Sequence, residues 1–369
     1  EIPFSESATI TLYRMWQDDG EPVVNINGDE VAPGVKQVMD WQTASIYDSE
    51  AIYSLPLEWY LSAGEHVLDL DSVENGVAIE YLEFYPLEEI PTYKEVMENY
   101  EVKGYTPASS PIYLEAEEKI VNKNRSTIRL VSDSDPTVSE TEAGKVIYNA
   151  IGGEYWQDAN ASITWGFDVE ESGLYNLALH LKQSFGYGLP SYRRIEVDGK
   201  VPFQEFENLK FSYDSKWRMV VLGEDTGEPY YLYLEEGYHT LTMTVTLGEL
   251  AEIVNLINQD SLVMSDLILQ ITMLVGQNPD VNYDYRLEER IPGLLTTLEE
   301  LTEHMELYME IIQEVSGVTP SLYGQINNIK TQIEELIENP FDIAVKQDVL
   351  ENVVSIYGTA ITSLSGQAL

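Results

Sequence analysis

Apolar and polar residues alternate over the first two thirds of the chain, and a three–four apolar spacing takes over in the last third. Before residue 86 the alternation is short-ranged. Residues 8–13, 65–70 and 77–85 read as strands, and residues 21–27 lead into an Asn27-Gly28 pair that favours the positive φ of a tight hairpin turn. Residues 87–111 form a connecting stretch in which 93–100 reads as a short helix and 106–111 as a linker by composition. From 112 to 247 the alternation returns in fuller form, through residues 162–169, 173–181, 194–199, 229–234 and 239–247. Trp165 alternates with Ile163 and Phe167, which predicts a core position.

After Gly248 the period changes. Leu294, Leu298, Leu301, Met305, Tyr308, Ile312 and Val315 step by fours and threes, and Leu322, Ile326, Ile329, Ile333 and Leu336 do the same. Residues 250–275 and 343–364 carry similar stripes. Breaks at 276–279, 317–320 and 339–340 separate four helices, the pattern of an antiparallel bundle. Pro292 predicts a late start or a kink in the second helix. Methionines on these stripes read as core filler.

A repeat links the two β regions. Gly64 and His66 recur as Gly237 and His239, and the Asn27-Gly28 turn recurs as Asp198-Gly199. Two modules of one kind in tandem are the simplest cause. Residues 2–16 then match 167–181, so the first module lacks the strands that open the second, and residue 1 reads as an internal truncation point. Histidine in both copies of one turn marks a fold position, where the ring packs or hydrogen-bonds, rather than a catalytic group.

Composition narrows the function. The net charge of −44 is spread along the chain, which disfavours nucleic acid and anionic lipid as partners. Cysteine is absent, which removes disulfides, thiolate metal sites and thiol nucleophiles. No apolar stretch is long enough to span a membrane. The 25 tyrosines against 8 phenylalanines suit half-exposed β surfaces and sugar-contacting faces. No metalloprotease, nucleophile-elbow, P-loop or dinucleotide motif occurs in a fitting context, so the chain reads as no enzyme.

Binding chemistry concentrates in the second β region. Loop aromatics Tyr155, Trp156, Tyr187, Tyr192, Tyr213 and Trp217 are candidates to stack on the C–H faces of sugar rings, with Tyr187 foremost because it sits in the Gly-rich loop 184–190. Glu115 and Glu117, two residues apart on an opening strand, would place two carboxylates on one face. Those hard oxygens suit Ca²⁺ if other loops complete the shell. An exposed edge of alternating glutamates is the other reading of the same pair.

The runs Tyr113-Leu114-Glu115-Ala116-Glu117, Gly152-Gly153, Ile163-Thr164-Trp165, Val197-Asp198-Gly199 and Leu234-Glu235-Glu236-Gly237-Tyr238-His239 resemble the galactose-binding-like jelly roll of carbohydrate-binding modules of families six and thirty-five. The wider order, with residues 246–252 leading into helices, is similar to the N-terminal part of large extracellular solute-binding proteins of Firmicutes carbohydrate ABC transporters. The resemblance implies a truncated β-sandwich over 1–86, a linker with a short helix over 87–111, a complete jelly-roll sandwich over 112–247 and a four-helix bundle over 248–369. It further implies non-enzymatic recognition of an oligo- or polysaccharide by a lipid-anchored surface protein. The permease partner would be met through a part outside this chain; no cofactor is required, and a structural Ca²⁺ is an optional addition. The alternative is a scaffold that positions a separate solute-binding domain. The α/β solute-binding domain of the family has no counterpart here, and the last-strand Asp common in such modules has no match in residues 242–247.

Overall fold

A computed structural model describes residues 10–49, 51–71, 76–86, 89–139, 141–317 and 319–369. Strands β1 (Trp16–Asp18), β2 (Val23–Val24), β3 (Glu30–Val31) and β4 (Val35–Gln37) open the chain, and helix α1 (Tyr93–Lys103) follows. The sandwich contributes β5 (Ile120–Lys123), β6 (Leu130–Val131), β7 (Ala150–Ile151), β8 (Ser162–Val169), β9 (Gly173–Asn176), β10 (Ala178–Gln183), β11 (Ser191–Val197), β12 (Leu209–Phe211), β13 (Asp214–Val221), β14 (Tyr231–Leu234) and β15 (Gly237–Thr246). Helices α2 (Ala251–Val275), α3 (Leu287–Arg290), α4 (Leu294–Ser316), α5 (Ser321–Glu338) and α6 (Gln347–Ser365) close it. The architecture is β plus α: antiparallel β layers followed by a helical bundle.

The larger sheet runs β12-β11-β15-β8-β5-β1-β4, and the pairs β10-β13 and β14-β9 face it. Alternation builds the core between them. Ile163 and Trp165 on β8, Ile195 on β11, and Leu241, Met243 and Val245 on β15 point inward to meet Leu181, Leu222 and Leu232. Trp165 is therefore core, as its spacing predicts.

The described residues between 10 and 86 do not form a separate sandwich. β1 joins the edge of the large sheet by pairing with β5, and β4 pairs with β1 outside it. The fully buried Lys123 ammonium meets Asp18 at 2.6 Å across this junction. Residues 47–49 and 51–54 then lie against the outer face of the same sheet. The Arg194 guanidinium donates to the Ser54 carbonyl and stacks 4.2 Å from the Tyr47 ring, and Asn160 Nδ2 donates to the Asp48 carbonyl at 2.8 Å. Residues 10–13, 65–70 and 77–85 form no strand, and Ala8 and Thr9 lie outside the described residues. Alternation alone does not hold a strand; without a second layer over it, an isolated β segment gains too little burial.

The repeated turns do share geometry. Gly64 and Gly237 have φ of 146° and 142°. In each copy the histidine Nε2 lies against the carbonyl four residues earlier, Ser62 at 2.7 Å and Glu235 at 2.8 Å. The hairpins form as well: β2 pairs β3 around Asn27-Gly28, and Val197 and Lys200 exchange hydrogen bonds around Asp198-Gly199.

The connecting stretch is docked rather than loose. Thr92 and Glu95 form a capping box at the start of α1, and Gly104 in the left-handed region ends it. The Tyr93 hydroxyl donates to the Pro229 carbonyl at 3.0 Å and accepts from the Tyr231 amide. Thr106–Ala108 exchanges hydrogen bonds with Leu174 on β9.

In the bundle every residue of the α4 and α5 stripes named from the sequence is buried. α2 packs mainly on α6, α4 on α5, and α5 on α6. Pro292 falls in the break between α3 and α4, so the long helix starts only at Leu294. A buried carboxylate lies within this core. Asp260 on α2 is buried, accepts from the Tyr308 hydroxyl and faces His304 Nδ1 at 3.0 Å.

Sandwich and bundle share one apolar cluster, which Leu189, Tyr192 and Leu247 join from the β side. Past α6 the chain returns to the sandwich. Gln367 Oε1 accepts the Tyr192 amide at 2.9 Å, and the Leu369 carbonyl accepts the Gly153 amide at 2.7 Å.

Candidate functional site

The β10–β13 ribbon turns a mixed polar and aromatic face to solvent. His180 pairs in register with Met219, and Leu181, facing the core, pairs with Arg218. Alternation therefore sends His180 and Lys182 outward beside Trp217 and Met219. The His180 and Trp217 rings lie 5.4 Å apart, and the Lys182 ammonium sits 5.2 Å from the Trp217 centroid. Asp133, from the loop after β6, closes the group: its Oδ2 accepts from Lys182 and from the Trp217 indole at 2.9 Å. Burial opposes ionisation of Asp133, but hydrogen bonds from Lys182, the Asp135 amide and Trp217 outweigh it and hold the carboxyl below its usual range.

Tyr213 leads into β13 at the loop end of the ribbon. Its ring meets that of Tyr187 edge-to-face, with centroids 5.3 Å apart and planes at 63°. Tyr187 is 70% exposed, at the tip of a loop that Gly186 and Gly188 turn through positive φ and that Gln183 Nε2 braces by donating to the Phe185 and Leu189 carbonyls. Tyr187 from one loop and Tyr213 from another thus present ring surface, while the half-buried Trp217 on β13 is flanked by Lys182 and His180.

The other three aromatic candidates are placed differently. Trp156 is 4% exposed; the short 3₁₀ turn at Gly153–Tyr155 folds its ring inward, 6.2 Å from Trp165 and beneath the Arg193 guanidinium. Tyr192 is 1% exposed because its position on β11 faces the bundle, where the ring packs over Gly248. Its hydroxyl donates to Glu249 at 3.0 Å, and burial and that carboxylate push its ionisation well above the usual range. Neither ring can meet a ligand. Tyr155 is half-buried with the Arg129 guanidinium 4.5 Å from its centroid, so one face of that ring is taken.

Glu115 and Glu117 lie in a coil and turn before β5, not on a strand, so strand alternation does not align them. Glu115 accepts from the Tyr113 hydroxyl at 2.8 Å and from Ser139 at 3.2 Å. Among the described residues no three or more His, Asp or Glu side chains converge as a metal set.

Sequence reasoning passed over His180, Lys182, Asp133 and Met219. The alternation of residues 178–183 could have sent His180 and Lys182 outward; Asp133 comes from a loop whose return to this face no local pattern encodes.

Residues 252–364 match the model of a family described as bacterial solute-binding protein, 4-helix bundle domain. No curated protein matches the chain. Among solved structures, a native family 35 carbohydrate-binding module from Clostridium thermocellum is 17% identical, covering 37% of this chain and 87% of its own, with a TM-score of 0.26. A family 35 module from an environmental isolate is 13% identical over 37% of this chain and 82% of its own, with a TM-score of 0.23. A family 35 module of Abf62 from Cellvibrio japonicus is 14% identical over 32% and 73%, with a TM-score of 0.21.

Proposed function

We propose that this chain recognises carbohydrate outside the cell without transforming it, as part of the solute-binding arm of a sugar ABC importer. The observation that carries the reading is the exposed Tyr187 with its edge-to-face partner Tyr213 at the loop end of the β10–β13 ribbon, together with the Trp217, Asp133, Lys182 and His180 group on the ribbon itself. Ring faces take the C–H side of a pyranose, and the flanking charges exchange hydrogen bonds with its hydroxyls. The bundle match supports placement in a bacterial solute-binding system. Lipid anchoring and contact with the permease belong to the same proposal and rest on the family resemblance. The test is calorimetry of the whole chain with gluco-, xylo- and galacto-oligosaccharides at millimolar concentration. Saturable heat supports the reading, and silence across the panel removes it.

A scaffold role is the second reading. It draws on the way Asp48, α1 and Gln367 all fasten onto the sandwich, which makes sandwich and bundle one braced body. Silence in the sugar panel would favour it.

A further inference from the structure

A second cleft opens on the opposite layer, on the outer face of the large sheet, with a volume of about 480 Å³. That size falls within the roughly 300–1,000 Å³ of small-ligand sites. Tyr238 on β15 pairs in register with Asp168 on β8, but its ring leans across Gly166 instead of standing over its partner. A Cβ at Gly166 would fall 2.8 Å from the Tyr238 ring carbon Cζ and 2.9 Å from Val121 Cγ2, so only glycine lets the ring lie there. One face of the ring is spent on the sheet, yet the residue stays 61% exposed. Tyr113 forms part of the lining, also exposed.

Polar groups complete the cleft. Asp168 and Lys119 both line it, and neither has an ion-pair partner among the described residues. Lys119 adopts a φ of 56°, a left-handed conformation uncommon outside glycine, and its carbonyl accepts the Gly166 amide at 3.0 Å. The backbone that presents Lys119 is thus tied to the glycine that seats Tyr238.

We propose that this cleft is a second sugar site, taking one neutral pyranose with its C–H face on Tyr238 and its hydroxyls on Asp168 and Lys119. The inference rests on the carbohydrate reading above. A carboxylated sugar fits less well, because Asp168 and a chain of net charge −44 oppose a second anion. An apolar ligand would leave both charges without partners. With one site on each layer, a single chain can engage a glycan at two points or join two strands, which raises avidity for polymers over short oligosaccharides.

The experiment is a ¹⁵N–¹H titration of the whole chain with the same oligosaccharides. The amides of Val121, Gly166 and Asp168 report the cleft, and those of Gly186 and Gly188 report the Tyr187 loop. Both sets should shift saturably. Tyr238→Ala should weaken the response of the cleft set about ten-fold or more, and Gly166→Ala, which keeps the ring but lifts it, should do the same. If the loop set moves and the cleft set does not, the second site is wrong and the carbohydrate reading stands. If neither set moves, both fall. Cleft shifts that survive Tyr238→Ala with unchanged affinity also overturn the site.

Discussion

Asp198 Oδ2 lies 2.7 Å from Nδ1 of His239, while Nε2 of the same ring faces the Glu235 carbonyl at 2.8 Å. Both ring nitrogens therefore meet acceptors, and only the imidazolium can donate to both. Burial works against that charge, but the Asp198 and Glu235 contacts outweigh it and raise the His239 pKa above its ordinary 6.5. A raised folded-state value adds stability that is complete below the ordinary pKa and is lost as pH rises through the folded one. Thermal unfolding from pH 5 to 9 should show that decline in the native chain and a flatter profile in His239→Gln. An identical slope in both would remove His239 as the source.

Tyr187→Ala should cut oligosaccharide affinity about ten-fold with little change in melting temperature, since the ring is largely in solvent. Trp156→Ala should behave in the opposite way. It empties a buried volume against Trp165 and Arg193 and should cost about 3–5 kcal/mol of stability by urea unfolding. Equal loss of affinity at matched folded fraction would put Trp156 back in the site.

Removing Asp18 strips the counter-charge from a lysine with no solvent contact. Asp18→Ala should destabilise the chain by about 3 kcal/mol, while replacing both members with Lys123→Met and Asp18→Leu should recover most of that loss. A double variant no more stable than Asp18→Ala would show that the pair is not the unit of stability.

In the bundle, burial and the Asp260 carboxylate push the Tyr308 hydroxyl well above its ordinary 10.0, and burial does the same to Tyr357. Neither tyrosine should ionise in an ultraviolet titration until the bundle unfolds, and stability should fall as pH rises past about 10. Tyr308→Phe leaves Asp260 short of a donor and should cost about 1–3 kcal/mol. Early tyrosinate absorbance that disappears in Tyr308→Phe would contradict the buried contact.

The bundle was the most legible part of the sequence, because a three–four stripe such as 294–315 states which face is buried. In the sandwich, local alternation placed Trp165 in the core. The same alternation over 65–70 and 77–85 produced no strand, since pairing partners are a tertiary fact. The repeated Gly-x-His turn was legible as geometry: positive φ and a histidine-to-carbonyl contact recur at His66 and His239. It did not carry the surrounding sheet with it. For the site, Tyr187 could be read from its glycines, whereas Trp156 and Tyr192 could not be told from loop aromatics without knowing that Arg193 and the bundle cover them. Asp133 and Tyr238 became visible only once distant strands were laid side by side.

The pairing of β1 with β5 has a topological consequence. Residues 76–86 are exposed throughout and belong to no strand, so a single backbone cut there breaks no ladder. The amino-terminal piece would stay clasped by the Trp16–Lys123 pairing, by the Asp18–Lys123 ion pair and by the Ser54 carbonyl on Arg194. The sandwich is in this sense a split protein still joined by its tether, in which Trp16–Asp18 acts as a donated strand.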